Sequence, residues 1–324
     1  MKLRQIYYLR LPKKDKNADE LLPANLKQPP NFSLLFFNLD MMIFCIIISD
    51  MDLSELKKLQ VEELKILKEF IRVCDELSIR YSVAYGTALG AVRHAGFIPW
   101  DDDIDIIMLR KDFNRFIKEA PPLLPPHLSI QSVTTDKDYY VMHAKLRNDN
   151  TTYLEPDWQN RKGSQGVFID LFPYDYIPAP GVKRKIIEWK RRFWQNLISI
   201  PICSISNGGA KQKMKNFMRP LMNMIDPTRN RAARCWQDCA EQVSQSAFVC
   251  DHEVWEFIYQ AEWFENTVKM PFEDIMVAVP VGYHEYLTIR YGDYMQLPPP
   301  EARTPRHFGG IIDLERPYTH YIKK

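Results

Sequence analysis

The spacing of apolar residues changes several times along the chain, and each change marks an element. From Asp52 to Leu77, Leu53, Leu56, Leu64, Leu67, Ile71 and Cys74 recur at helical spacing with charges between them. That spacing predicts an amphipathic helix that packs on a core and carries no chemistry of its own. Arg80–Tyr85 reads as the first strand, delivering Gly86-Thr87 to its end, with a helix starting at Ala88. Around Asp103 the period falls to two: Asp103 and Asp105 share one face of a strand, while Ile104, Ile106 and Met108 enter the core. Lys111–Ala120 predicts a short helix stopped by Pro121-Pro122. Leu128–Val133 and Tyr140–Leu146 read as strands, the second leading into His143, Lys145 and Arg147 in alternation on one face, which is either a basic strip beside a site or a solvated face. Gly166–Asp175 is an apolar run broken by Asp170. Near the end a strand carries into a short helix, and the proline-rich tail from Pro298 wraps back over the core.

Carboxylates held side by side repel, and burying them unpaired is costly, so a strand that gathers them points to a bound cation. Hard divalent ions, Mg²⁺ or Mn²⁺, suit aspartate oxygens and leave coordination positions for phosphate and water. A phosphate-bearing substrate is implied. The bland alternative, a solvated acidic edge, accounts poorly for Asp101, Asp102, Asp103 and Asp105 lying within five residues between Pro99-Trp100 and a buried Ile-Ile-Met-Leu run. Upstream, Gly86 lets the backbone approach a phosphate closely, and the Thr87 hydroxyl with the following N–H groups is suited to bind it. Arg93 and His94, between the two halves, are placed to contact a diphosphate or to support Asp101 and Asp102.

Composition narrows the class. The chain has 324 residues and a formal net charge of +2, so no global field recommends nucleic acid as a partner. Six cysteines are too few and scattered for a disulfide framework, and a reducing, cytoplasmic setting fits best. Cys235, Cys239, Cys250 and His252 match no common zinc finger and read as buried thiols rather than a zinc site. Residues 1–50 differ from the rest: a polar linker precedes an apolar stretch whose uninterrupted run, Met41–Ile48, is far too short to span a bilayer. This stretch reads as an atypical leader or an over-extended reading frame, with Met51 the expected start and a membrane-associating leader the competing view. Between Gly181 and Arg234 there are thirteen Lys or Arg against two acids, a local charge of 13 − 2 = +11, around Trp189 and Trp194. This basic helical segment is either a solvated face or a peripheral contact for anionic lipid at the inner face of the membrane, or for a polyanionic acceptor.

One ordered string is more specific than any of these signals. Gly86-Thr87, Gly90-Ala91-Val92-Arg93-His94 and Gly96-Phe97-Ile98-Pro99-Trp100-Asp101-Asp102-Asp103-Ile104-Asp105 closely resemble the signature of the LicD family, phosphocholine and related phospho-alcohol transferases with fukutin-type enzymes as distant relatives. The resemblance extends from about Met51 to about His307, through Tyr291-Gly292-Asp293-Tyr294 and Arg303. It implies an α/β (α+β) nucleotidyltransferase fold of the polymerase-β type, with a mixed sheet, over residues 51–324, and a basic helical insertion at 181–262. Asp103 and Asp105 would be joined by Asp170 as the third carboxylate, the three serving as metal ligands and catalytic groups, with Asp170 a candidate general base and Asp175 a weaker supporting one. Gly86, Thr87, Arg93, His94, Arg303 and His307 would bind substrate, although Arg303 and His307 serve equally well as tail anchors.

The implied reaction moves a phospho-alcohol such as phosphocholine from a CDP-linked donor to a sugar hydroxyl of a glycan or glycolipid acceptor, a lipopolysaccharide or teichoic acid precursor, with CMP leaving. Three readings compete with it. A nucleotide-sugar glycosyltransferase also shows Asp-x-Asp but needs neither the Gly-Thr step nor a third strand carboxylate. Nucleotidyl transfer with release of pyrophosphate fits the same fold. A non-catalytic glycan or membrane adaptor would depend on the basic segment alone.

Overall fold

The computed structural model describes residues 53–136, 139, 141–154, 163–200, 210–226, 230–251, 257–305 and 310–322. The leader, Tyr140, His252 and His307 lie outside them. Helix α1 (Leu53–Glu76) is followed by β1 (Ser82–Val83), α2 (Tyr85–His94), β2 (Asp105–Leu109) and α3 (Arg110–Glu119). A 3-10 turn at Pro121–Leu123 leads to β3 (Leu128–Gln131), β4 (Ala144–Asn148), β5 (Thr152–Leu154) and the long β6 (Val167–Ile177). Helices α4 (Val182–Ser199), α5 (Ala210–Ile225) and α6 (Asn230–Glu241) come next, then β7 (Phe248–Asp251) and β8 (Ile258–Gln260). The described chain closes with α7 (Glu262–Glu265), β9 (Thr267–Phe272), β10 (Ile275–Pro280), α8 (Tyr283–Tyr291) and β11 (Ile311–Asp313).

The main sheet is mixed, with strand order β1-β2-β6-β4-β3; β7 pairs β6, and β8 pairs β7. The β2–β6 pairing is parallel, and the other pairings of this sheet are antiparallel. Because β6 is long, β4 pairs along its N-terminal half and β7 along its C-terminal half. The sheet therefore resumes at Phe248, so the last part of the stretch expected as helical insertion is strand. The tail returns to the body as expected: β11 pairs antiparallel with β5.

Helix α1 covers the core with Leu56, Leu59, Ile66, Leu67, Phe70, Val73 and Cys74, all buried. Each such side chain contributes roughly 1.5–3 kcal/mol by leaving water. The same face also buries Gln60, Glu62 and Glu63, so the helix is not the chemically silent packing element that its periodicity predicts. All five residues of β2 are buried, packed against α2 and α3 and flanked by β1 and β6. The alternation of Asp and Ile therefore separates a polar interior from an apolar one, not water from core.

Helix α2 begins at Tyr85, three residues earlier than expected, which puts Gly86 and Thr87 in its first turn. Tyr85 has φ +42°, an uncommon value for a bulky residue. It is held there by Tyr286, whose hydroxyl accepts the Tyr85 N–H at 3.0 Å, and by Asp251, which accepts its phenol hydrogen. Asp175, expected as a possible support of the site, lies five residues beyond Asp170 on β6 and so faces the other way. It is fully buried, takes two bonds from Arg110 (2.6 and 3.0 Å) and one from Arg191 (2.7 Å), and ties α3 and α4 to the sheet. Cys74, Cys239 and Cys250 are buried free thiols.

Candidate active site

Register brings the acids together. Asp105 on β2 is the partner of Asp170 on β6, and Asp170 is in turn the partner of Lys145 on β4. Register partners project from the same face, so two carboxylates and an ammonium stand in a row across three strands. Lys145 Nζ lies 2.9 Å from Asp170 Oδ1, and His143 Nε2 lies 3.1 Å from the same oxygen. All three residues are buried, which rules out the solvated reading of the basic strip. Arg147, two residues further on, bonds Gln131 (2.6 Å) and the Gly166 carbonyl (2.7 Å) and serves the fold. Burial alone would raise the Asp170 pKa, but Lys145 and His143 hold its carboxyl well below the usual carboxylate range.

Asp103 precedes β2 and belongs to a loop with Asp101 and Asp102; one carboxylate oxygen from each lies within 4.8 Å of the others. The loop is pinned from below and from the side. Gln60 on α1 donates to the Asp101 carbonyl at 2.9 Å, and the Asp105 N–H donates to Thr87 Oγ1 at 2.9 Å, so that the threonine sets where the strand begins. The Thr87 hydroxyl still has its own proton to donate. A Cβ on Gly86 would stand 2.6 Å from Asp101 Oδ2, so the glycine is what allows this carboxylate to lie against the first turn of α2. An anion there is favoured by the N-terminal end of the helix dipole.

Beneath the acids sits a residue that the sequence reading passed over. Glu63 on α1 is 1 % exposed, and its Oε2 has no hydrogen-bond partner among the described residues. Burial, and then the negative charges of Asp103, Asp102, Asp101 and Asp105, push its pKa well above the ordinary value. An unpartnered buried carboxylate oxygen beside four aspartates is a costly arrangement without a cation. The donor set, all carboxylate oxygen, is that of a hard divalent ion such as Mg²⁺ or Mn²⁺, and on this ground the residues fit one.

Cationic and aromatic groups stand around the acid loop. Arg93 Nη1 donates to the Tyr294 carbonyl at 2.7 Å, fastening the tail to the end of α2. The Arg303 guanidinium stands 5.6 Å from the centre of the Trp100 ring, and its Nε donates to the Pro298 carbonyl at 2.9 Å. Arg93 is close enough to both Arg303 and Asp101 to feel their charges. His94 packs edge-on to Trp100, and burial followed by the charge of Arg93 lowers its pKa. Arg93 and Arg303 thus anchor the tail and still border the acids.

Comparison with known proteins follows the same residues. The family model described as "LicD/FKTN/FKRP, nucleotidyltransferase domain" matches residues 78–211. A Haemophilus influenzae protein named lipopolysaccharide cholinephosphotransferase LicD is 30% identical over 266 residues, which cover 78% of this chain and 97% of that protein. An uncharacterized protein of Rickettsia typhi is 39% identical over 69 residues, covering 21% of this chain and 22% of its own length. One of Rickettsia prowazekii is 42% identical over 48 residues, covering 15% and 18%.

Proposed function

This chain belongs to the LicD family, and on that premise we propose that it is a metal-dependent transferase moving phosphocholine or a related phospho-alcohol from a CDP-linked donor to a sugar hydroxyl of a surface glycan precursor. The observation that carries this reading is the cluster of Asp101, Asp102 and Asp103 carboxylates against the first turn of α2, followed two residues on by Asp105, the register partner of Asp170. A lipopolysaccharide or teichoic acid precursor is the acceptor class, and the inner, cytoplasmic face of the membrane is the place of action. Among the described residues no helix is long and apolar enough to cross a membrane. We take residues 51–324 as one nucleotidyltransferase-type domain: strand, Gly-Thr, helix and acid strand come in that order, and α4–α6 are the insertion.

Asp103, Asp105 and Asp170, joined by Asp101 and Glu63, would hold Mg²⁺ or Mn²⁺. When bound, the ion neutralises charge on the donor diphosphate and on the departing CMP. The N–H groups at Gly86 and Thr87, the Thr87 hydroxyl and the Arg93 and Arg303 guanidiniums bind diphosphate oxygens, with His94 beside them. The acceptor oxygen attacks the phosphorus that bears the alcohol, the bond from that phosphorus to the CMP oxygen breaks, and CMP leaves with its electron pair. The acceptor's proton must go to a base. Asp170, held strongly ionised by Lys145 and His143, is a weak one, so its part is to hold positive charge. We assign the proton to Asp103, half-buried on the loop.

The test is thermal stabilisation of the full chain by CDP-choline, CDP-glycerol, CDP-ribitol and UDP-glucose, with and without Mn²⁺, and with Asp103→Asn as control. A ligand that binds only the folded state raises the midpoint by mass action. A metal-dependent shift with one CDP-alcohol, lost in Asp103→Asn, is expected. A shift with UDP-glucose alone would overturn the reading in favour of sugar transfer, and pyrophosphate release in turnover would mark nucleotidyl transfer instead.

A further inference from the structure

Helix α4 has two apolar faces, and only one is covered by the described residues of the fold. Its inner face buries Ile187, Arg191 and Ile198; the Arg191 guanidinium stands 5.0 Å from the centre of the Trp236 ring on α6 and bonds Asp175 of β6. Its outer face carries Val182, Ile186, Trp189 and Phe193, which are 75%, 49%, 66% and 43% exposed. Spacings of four, three and four residues keep these side chains on one side of a helix, in a narrow stripe. Lys183 and Lys190 fall along one edge of the stripe, Lys185 and Arg192 along the other.

Helix α5 repeats the pattern. Met214, Phe217, Leu221, Met224 and Ile225 also share one side and are 49–87% exposed, Phe217 the most. Scattered exposed apolar residues are ordinary, but two ordered stripes on successive helices mark a contact surface. The charge decides what covers it. With thirteen basic and two acidic residues between Gly181 and Arg234, a second copy laid on this face would meet like charge, whereas an anionic bilayer meets opposite charge. Trp189, stacked on Phe193 at 5.6 Å, is an amphipathic ring of the kind that settles at the headgroup level.

We propose that α4 and α5 form a membrane-docking surface, lying in the plane of an anionic phospholipid bilayer with the Val182–Phe193 and Met214–Ile225 stripes inserted among the acyl boundary and the flanking lysines on lipid phosphates. Neither helix spans the bilayer; each lies on it, as basic-edged amphipathic helices do. Because Arg191 and Asp175 join α4 to the strand that also carries Asp170, docking fixes the orientation of the sheet to the membrane. The inference stands apart from the transfer reading, since it rests on surface residues that take no part in the acid site.

The experiment is cosedimentation of the full chain with phosphatidylcholine vesicles made with and without phosphatidylglycerol, at low and high salt. The wild type is compared with Trp189→Ser/Phe193→Ser combined with Phe217→Ser/Met224→Ser, and with the edge variant Lys183→Glu/Lys190→Glu. Expected are binding that requires phosphatidylglycerol and weakens with salt, a loss of at least about tenfold in the apolar variant, and a smaller loss in the edge variant. The replaced apolar side chains are exposed, so the melting midpoint should hold; should the apolar variant misfold, the edge variant carries the test. Unchanged binding in both variants, or no binding by the wild type, overturns the proposal. A concentration-dependent dimer that dissociates in the variants without any vesicle binding overturns it in favour of a second copy.

Discussion

Asp105 and Asp170 are register partners across the parallel pairing of β2 and β6, so their carboxylates leave the same face of the sheet from neighbouring strands. Asp170 sits on Lys145 and His143, and the backbone of Asp105 is placed by the bond from its N–H to Thr87 Oγ1.

Asp105→Asn and Asp170→Asn should each lower transfer of labelled phosphocholine to the acceptor by at least about a hundredfold. Asp170→Asn should also cost about 3–5 kcal/mol in urea denaturation, because it takes the carboxylate away from the buried Lys145 ammonium. An unchanged denaturation midpoint in Asp170→Asn would contradict the pairing of Asp170 with Lys145 and His143.

Glu63 gives the metal-free protein a pH signature. Below its ordinary value of 4.5 the carboxyl is protonated in both folded and unfolded chains. As pH rises through the raised folded value, the folded state has to ionise it among four aspartates, and stability is lost. Metal-free Glu63→Gln should therefore melt above the wild type at neutral pH and beside it at acid pH. Added Mn²⁺ should stabilise the wild type more than the variant; a larger gain in the variant would remove Glu63 from the metal cage.

Gly86→Ala tests the approach of Asp101 to α2. The new methyl group would lie 2.6 Å from Asp101 Oδ2, so the carboxylate must move. Displacement at a catalytic constellation is costly, and we expect a loss of activity of about tenfold or more. Folding should be unharmed, since alanine is the better helix former by roughly 0.5–1 kcal/mol.

Asp175→Asn should cost about 3–5 kcal/mol, measured by chemical denaturation, because it removes the charged carboxylate that the buried Arg110 and Arg191 share. Limited proteolysis should then cut first at the ends of α4, which this carboxylate, together with α3, fastens to the sheet. A variant that loses activity without losing stability would instead return Asp175 to the active site.

Much was legible from local pattern. The Asp101–Asp105 run marked the candidate site because so many acids in so few residues have no cheap structural use, and Gly86-Thr87 was read as its approach because glycine and a hydroxyl at a strand end favour anions. Cys239 and Cys250 are buried thiols as expected, whereas Cys235 is only half-buried. The expectation that α1 is chemically silent failed for an instructive reason. Glu63 lies seven residues after Leu56 and seven before Phe70, on the buried stripe itself, so an acid stood at an interior position. The helical period carried that signal, but a lone glutamate among charged neighbours reads as solvent-facing.

By itself, then, the sequence determined the first helix, the acid strand and the helix after it, where the acids concentrate and which segment is basic, since periodicity, glycine placement and charge are properties of neighbours along the chain; β7 and β8 fell in a stretch it gave as helical. Only the tertiary structure decided that Asp170 faces Asp105 while Asp175 faces away, that Lys145 and His143 neutralise the one and Arg110 and Arg191 the other, and that Glu63 lies beneath the loop. Strand register and helix docking set those partners, and both arise from packing between segments tens of residues apart, which no local spacing encodes.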